Sequence, residues 1–168
     1  MANDLFRREL AAYAAVHRDW RNKATHFVGI PVIVFSLLLA LTQWSVDPGI
    51  GTLPMALVVT IVAVLGWMAL DLGIGLVMAA IMAVAWYVAE AFAMALGPQP
   101  VWTAFGVLFI GGWILQFLGH HYEGKRPALL SNIFQAFVGP MFLVAETMVA
   151  MGYRSDLAGA MDDHRIRA

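Results

Sequence analysis

The side chains of this chain best suited to bind a metal or move a proton are five histidines and a few carboxylates around them. The histidines are His17, His26, His120, His121 and His164. Four of them fall in two short stretches, YAAVHRDWRNKATHFVGIP (Tyr13 to Pro31) and GHHYEGKRPALLSNIFQ (Gly119 to Gln135), which flank a long apolar middle. Imidazole suits zinc, copper, iron and nickel, and two imidazoles with one carboxylate and open positions form the ligand set of non-haem Fe(II) oxygenases. On a helix, His120 and Glu123 share a face, being three residues apart. His121 points about 100° away and joins the same metal only where the helix has already ended. His17 and His26 are nine residues apart, about 900° of rotation, so a straight helix puts them on opposite faces. They share a ligand only if the chain bends between them or the helices surround the site. Gly29 and Pro31 offer a nearby irregularity, because the residue before a proline disfavours the α region. Asn22 precedes His26 by four and shares its face. The plainer reading makes these histidines polar caps at a membrane boundary; the gathering of four near a carboxylate is what favours a metal. His164, in DDHRIRA, is assigned to a polar tail.

The elements that position these residues are apolar. Of the 168 residues, 61% are hydrophobic and 12% charged, and the mean hydropathy is +0.76. Soluble domains carry about 25% charged residues, so a membrane protein is expected. The net charge of −1 argues against a nucleic-acid partner. With no cysteine there are no disulfides, thiolate sites or cysteine nucleophiles. The basic, mixed N-terminal stretch does not read as a secretory signal, and no myristoylation or prenylation motif is present.

From Phe27 to Gly119 the only charges are Asp47, Asp71 and Glu90. That span divides into four apolar runs of roughly the length a crossing helix needs: Phe27 to Trp44, Met55 to Leu70, Ile74 to Leu96 and Val101 to Gly119. SVDPGIGTLP reads as a loop. GPQP reads as a compact turn, since Pro98 and Pro100 cannot continue a helix. A fifth run, Ala128 to Tyr153, is broken by Ser131, Asn132, Gln135, Gly139, Pro140 and Glu146. It is expected as two short helices at the interface or packed on the bundle. The fold class is therefore all-α: a membrane-embedded bundle of four transmembrane helices plus a C-terminal pair of short helices. Residues 1–152 form one domain, and 153–168 a frayed polar tail. Lys and Arg lie before the first span and after the fourth, so both termini are expected in the cytoplasm, and the first four histidines fall on one side. Trp44, Trp102 and Trp113 suit aromatic belts. An oligomer remains open.

The remaining ionisable groups have mostly plain readings. Asp71 is expected in a solvated turn, and Glu90 in a structural or snorkelling role. Glu146 is expected to hydrogen-bond a ligating imidazole. Lys23, Lys125 and Arg126 flank the histidine arms; they read as topology determinants or headgroup contacts, or else as a grip on a substrate carboxylate.

The two arms resemble a family of small membrane proteins typified by the fungal 2-hydroxy fatty-acid dioxygenase of phytosphingosine breakdown. The matching elements are Tyr13, His17, Asn22, His26, Gly29 and Pro31, then Gln116, Gly119, His120, Glu123, Pro127, Ala128, Gly139, Pro140 and Glu146. The apolar middle matches by topology only. The resemblance implies Fe(2+)-dependent α-oxidation, in which a 2-hydroxy fatty acid and O2 give the acid one carbon shorter and CO2. It makes His17, His26 and His120 the leading iron ligands, with His121 and Glu123 following. Tyr13, Asn22, Gln116 and Glu146 are expected to support them. The competing expectation is a non-catalytic lipid-binding or scaffold protein whose histidines cap helices.

Overall fold

A computed structural model of the chain describes residues 2–49, 51–124 and 133–162. Among these, seven helices carry the fold: α1 Asp4–Ala15, α2 Trp20–Leu41, α3 Met55–Leu70, α4 Leu72–Leu96, α5 Pro98–Glu123, α6 Ile133–Ala150 and α7 Ser155–Asp162. A two-residue strand pair, Ser45–Val46 with Leu53–Pro54, closes the loop between α2 and α3. The chain is an all-α bundle. α2, α4 and α5 are long and apolar enough to cross a membrane, whereas α3 has only 16 residues. Large apolar side chains such as Val62, Ile110 and Ile114 face outward, each more than half exposed. That is how a bundle solvated by lipid differs from a soluble one.

The helix ends explain the expectations that changed. GPQP is not a turn between helices. Gly97 alone makes the break, with φ +75°, and Pro98 opens α5, where a missing N–H costs nothing. Within the segment read as two short helices, the described residues 133–150 form one continuous helix, α6, with Pro140 inside it. The C-terminal pair is instead α6 and α7, whose segments Phe134–Ala150 and Ser155–Met161 meet at a bend of 118°. A proline inside a helix disturbs the carbonyls of the preceding turn. Here the Trp67 indole N–H donates to the Phe137 carbonyl at 2.9 Å and supplies a partner in that turn.

α1 was not anticipated as a helix. Its Phe6, Leu10 and Tyr13 recur every three to four residues and are buried, so it lays one apolar stripe on α6 and α7. Its start docks on the end of α3: the Asn3 backbone N–H donates to the Leu70 carbonyl at 3.0 Å, and Asn3 Nδ2 to the Ala69 carbonyl at 3.0 Å. These bonds occupy carbonyls that a helix end leaves without partners.

Asp71 is likewise not solvated. It is 1% exposed, forms the one-residue joint between α3 and α4, and accepts the Ile74 N–H at 2.8 Å as the cap of α4. Arg154 donates to both its oxygens, at 2.8 and 2.9 Å. The stretch beginning at Arg154 is thus not frayed as far as the structure describes it: α7 follows, with Leu157 fully buried. Burial alone would raise the Asp71 carboxyl, but the hydrogen bonds from Arg154 and from the Ile74 N–H hold it below its ordinary value. A carboxyl lowered by folding contributes stability that is present above its unfolded pKa, about 4, and is lost as pH falls through the folded value. Arg154→Met, which strands a buried carboxylate, is expected to cost on the order of 3 kcal/mol in thermal or denaturant unfolding in detergent. Asp71→Asn is expected to flatten the acid limb of the wild-type stability curve.

The α2–α5 pair has the most intimate contact in the bundle, and it holds the site. The two helices run antiparallel, with α2 presenting Asn22, His26, Gly29 and Ile33 to α5's Gly112, Gln116, Gly119 and His120. A Cβ at Gly112 would lie 2.6 Å from Ile33 Cγ1 and 3.2 Å from the Gly29 carbonyl. Small residues let backbones approach this closely in lipid.

Candidate metal centre

Three histidines from three parts of the chain meet at the buried end of this crossing. His17, His26 and His120 are all buried, and one ligand nitrogen from each lies within 4.8 Å of the other two. The ring centroids are 4.6 Å apart for His17–His26, 4.9 Å for His26–His120 and 5.3 Å for His17–His120.

The nine-residue problem between His17 and His26 is solved by a bend, and not at Gly29 and Pro31, which lie inside α2. α1 ends at Ala15, and Asp19 starts α2 as its cap, accepting the Arg21 N–H at 2.9 Å. His17 sits in the connection. Its Nδ1 donates to the Tyr13 carbonyl at 2.7 Å, and the Tyr13 ring stacks on it at 3.9 Å and 5°. His26 Nδ1 donates to the Asn22 carbonyl at 2.9 Å. A carbonyl only accepts, so both bonds put the proton on Nδ1 and leave Nε2 with a free lone pair. This fixing of the tautomer is what the outer partners of ligating histidines supply. His17 Nε2 and His120 Nδ1 are buried with no hydrogen-bond partner. Buried polar atoms are ordinarily satisfied, and a metal ion would answer both, so the residues present fit one.

Burial, and repulsion from the neighbouring His26 and His120, push the His17 imidazole down to about 3, against the pull of the Tyr13 carbonyl and Glu123. It is therefore neutral, the form that binds metals, across physiological pH.

The other expected residues fall elsewhere. Glu123 does not face the histidines' lone pairs. Its carboxylate accepts the backbone N–H groups of Arg18, at 3.0 Å, and Asp19, at 2.9 Å, and Asn22 Nδ2 at 3.1 Å. It clamps the bend that presents His17. His121 is exposed beside Tyr122, because α5 continues through Glu123 and the 100° step holds. Glu146 pairs with Lys23 rather than with an imidazole. These two line a polar cavity of about 390 Å³ that His17 also borders. Tyr13, Asn22 and Gln116 do lie against the cluster. Lys125, Arg126 and His164 lie outside the described residues. Glu90 accepts the Trp86 indole N–H at 3.2 Å within α4.

A second cavity, of about 420 Å³, opens from the histidines into the bundle between α2, α5 and α6. Tyr13, Gln116 and Gln135 line its histidine end, while Ile30, Val34, Leu37, Phe109 and Trp113 make the rest apolar. Trp113 belongs to this wall. Phe109, Trp113 and Gln116 precede His120 by eleven, seven and four residues, one face of a helix; that spacing was the available signal. Gln135, on α6, carried none.

The profile of the family described as "2-hydroxy-palmitic acid dioxygenase Mpo1-like" matches residues 4–151. A Saccharomyces cerevisiae protein described as 2-hydroxy-palmitic acid dioxygenase MPO1 is 27% identical over 161 residues, covering 93% of this chain and 87% of that protein. No solved structure matches the chain.

Two substitutions test the geometry. A Cβ on Gly119 would lie 2.2 Å from Thr25 Oγ1, 2.6 Å from Asn22 Oδ1 and 2.9 Å from His26 Nδ1. Gly119→Ala is expected to cost about 1–3 kcal/mol by overpacking and to weaken metal retention, read by unfolding and by metal analysis of the purified protein. Glu123→Gln keeps an acceptor for the bend, so it is expected to retain most of its metal. Loss of metal to the level of His120→Ala would make Glu123 a ligand instead.

Proposed function

The chain belongs to the Mpo1-like family of 2-hydroxy-palmitic acid dioxygenases, and on that premise we propose that it is an Fe(2+)-dependent dioxygenase of 2-hydroxy fatty acids in the membrane. The observation that carries the reading is the three-histidine cluster lining one end of an apolar cavity. The proposed reaction converts R–CH(OH)–COOH and O2 into R–COOH, CO2 and H2O. The bond between C1 and C2 breaks, and the substrate supplies all four electrons that reduce O2, so no further reductant is required.

In this reading His17, His26 and His120 hold the iron. When bound, the iron would supply open positions where the acid's oxygens and O2 are brought together, and the redox chemistry between them. The chain's own residues do the rest. The carbonyls of Tyr13 and Asn22 hold the His17 and His26 protons on Nδ1. The Tyr13 ring fixes the plane of His17. Glu123 keeps the α1–α2 connection folded, and with it His17. The apolar cavity takes the alkyl chain, running along α2 from His26 to Leu37, roughly 16 Å at the helical rise. Ile33, Val34, Phe109 and Trp113 line that path. A free acid bound by its head at the histidines thus keeps its tail in apolar surroundings throughout.

Purified protein supplied anaerobically with Fe(II), then given 2-hydroxypalmitate and O2, is expected to form the acid one carbon shorter, followed by lipid mass spectrometry. About one iron per chain is expected, as one three-histidine site takes. His26→Ala and His120→Ala are expected to lose both iron and product. An iron-loaded wild type that makes no shortened acid would sink the reaction.

A further inference from the structure

We propose that Gln116 is a specificity-determining residue that reads the 2-hydroxyl of the substrate, donating its side-chain N–H to that oxygen. The proposal rests on the fatty-acid reading above and concerns how the same site tells a 2-hydroxy acid from a plain one.

Gln116 is 6% exposed and lines the cavity. It lies one helical turn from His120, on the side towards Trp113 and Phe109. Six buried side-chain atoms among the described residues have no hydrogen-bond partner: His17 Nε2, Asn22 Oδ1, Thr60 Oγ1, Gln116 Nε2, His120 Nδ1 and Glu146 Oε2. Gln116 Nε2 is the one amide nitrogen in that group; it can only donate. A metal answers the histidine lone pairs but leaves an amide N–H unanswered, so Gln116 requires an acceptor of another kind.

The place is made for this side chain. A Cβ on residue 29 would lie 2.6 Å from Gln116 Nε2, so Gly29 provides the space its amide occupies. The other carboxamide of the cavity, Gln135, already donates to Glu9. The terminal torsion of a glutamine is soft, so the Gln116 N–H turns readily to an oxygen in the cavity. An acid held at the histidines by its carboxylate leads from C1 through C2 into the alkyl chain in the direction of Gln116. The first oxygen past the carboxylate on that path is the 2-hydroxyl. The amide is neutral, so it selects an oxygen by position and not by charge. A site built around a substrate hydroxyl rejects the analogue that lacks it, because the buried donor is then left unpaired.

The test compares 2-hydroxypalmitate with palmitate in iron-loaded protein held anaerobically, where no turnover consumes the ligand. Binding is read as equilibrium retention of each isotope-labelled acid by the protein. Wild type is expected to prefer the hydroxy acid. Gln116→Met is expected to lower that preference by about tenfold through weaker binding of the hydroxy acid alone, with iron content unchanged. Its unfolding temperature without ligand is expected to be no lower than wild type, since an apolar group replaces an unsatisfied donor. If Gln116→Met does not fold, Gln116→Asn withdraws the amide by one methylene and is expected to lose the same preference. An unchanged preference in the variant, equal weakening of both acids, or loss of iron overturns the proposal and leaves the fatty-acid reading standing. A wild type that binds neither acid overturns both.

Discussion

Close approach of α2 and α5 is the constraint on which the histidine site depends. Gly29 and Gly112 face each other across the crossing, and Gly119 faces Asn22, Thr25 and His26. At each of these three positions a methyl group would overlap atoms of the opposite helix. The contact therefore fixes both the separation and the register of the pair. With that register, His26 and His120 arrive at the same level, and Gln116 meets the gap at Gly29. In lipid, where apolar side chains gain little by leaving their surroundings, such backbone packing is what holds helices together.

The third histidine comes from outside the crossing and needs its own support. His17 lies between α1 and α2, and three separate contacts hold it. α1 is seated by Phe6, Leu10 and Tyr13, and its first residues dock on the end of α3. Glu123 grips the backbone of Arg18 and Asp19, tying the bend to α5. Tyr13 then stacks on the ring. A carboxylate close to three imidazoles is thus used to shape the backbone. That leaves the three imidazoles as nitrogen donors in a buried, largely apolar setting, a set that could hold a metal ion.

Many other polar groups are paired with one another: Asp71 with Arg154, Lys23 with Glu146, Glu90 with Trp86 and Gln135 with Glu9. In an apolar solvent an unanswered group is costly, so the few without partners stand out. Three of the six are at the cavity: His17, Gln116 and His120. Unmet hydrogen-bonding capacity is concentrated where a metal and the head of an amphipathic acid would meet.

Hydropathy alone determined much of this protein. Long apolar runs with few charges require helices in lipid, and the runs share their limits with the helices at Met55, Leu70 and Leu96. Putting the basic arms on one side brought His17, His26 and His120 to one end, and the 100° step separated His121 from His120. Only the tertiary structure decided the rest. Glu123 shares a face with His120, but sequence spacing does not reveal that the α1–α2 connection offers it the N–H groups of Arg18 and Asp19, and α2 the Asn22 amide. Asp71 looks like a solvated turn residue until Arg154, 83 positions on, is seen to cover it. Pro140 looks like a helix break until the bundle holds α6 together around it. Periodicity reports which residues of one helix share a face; which partner that face meets is settled by packing between segments far apart in the chain.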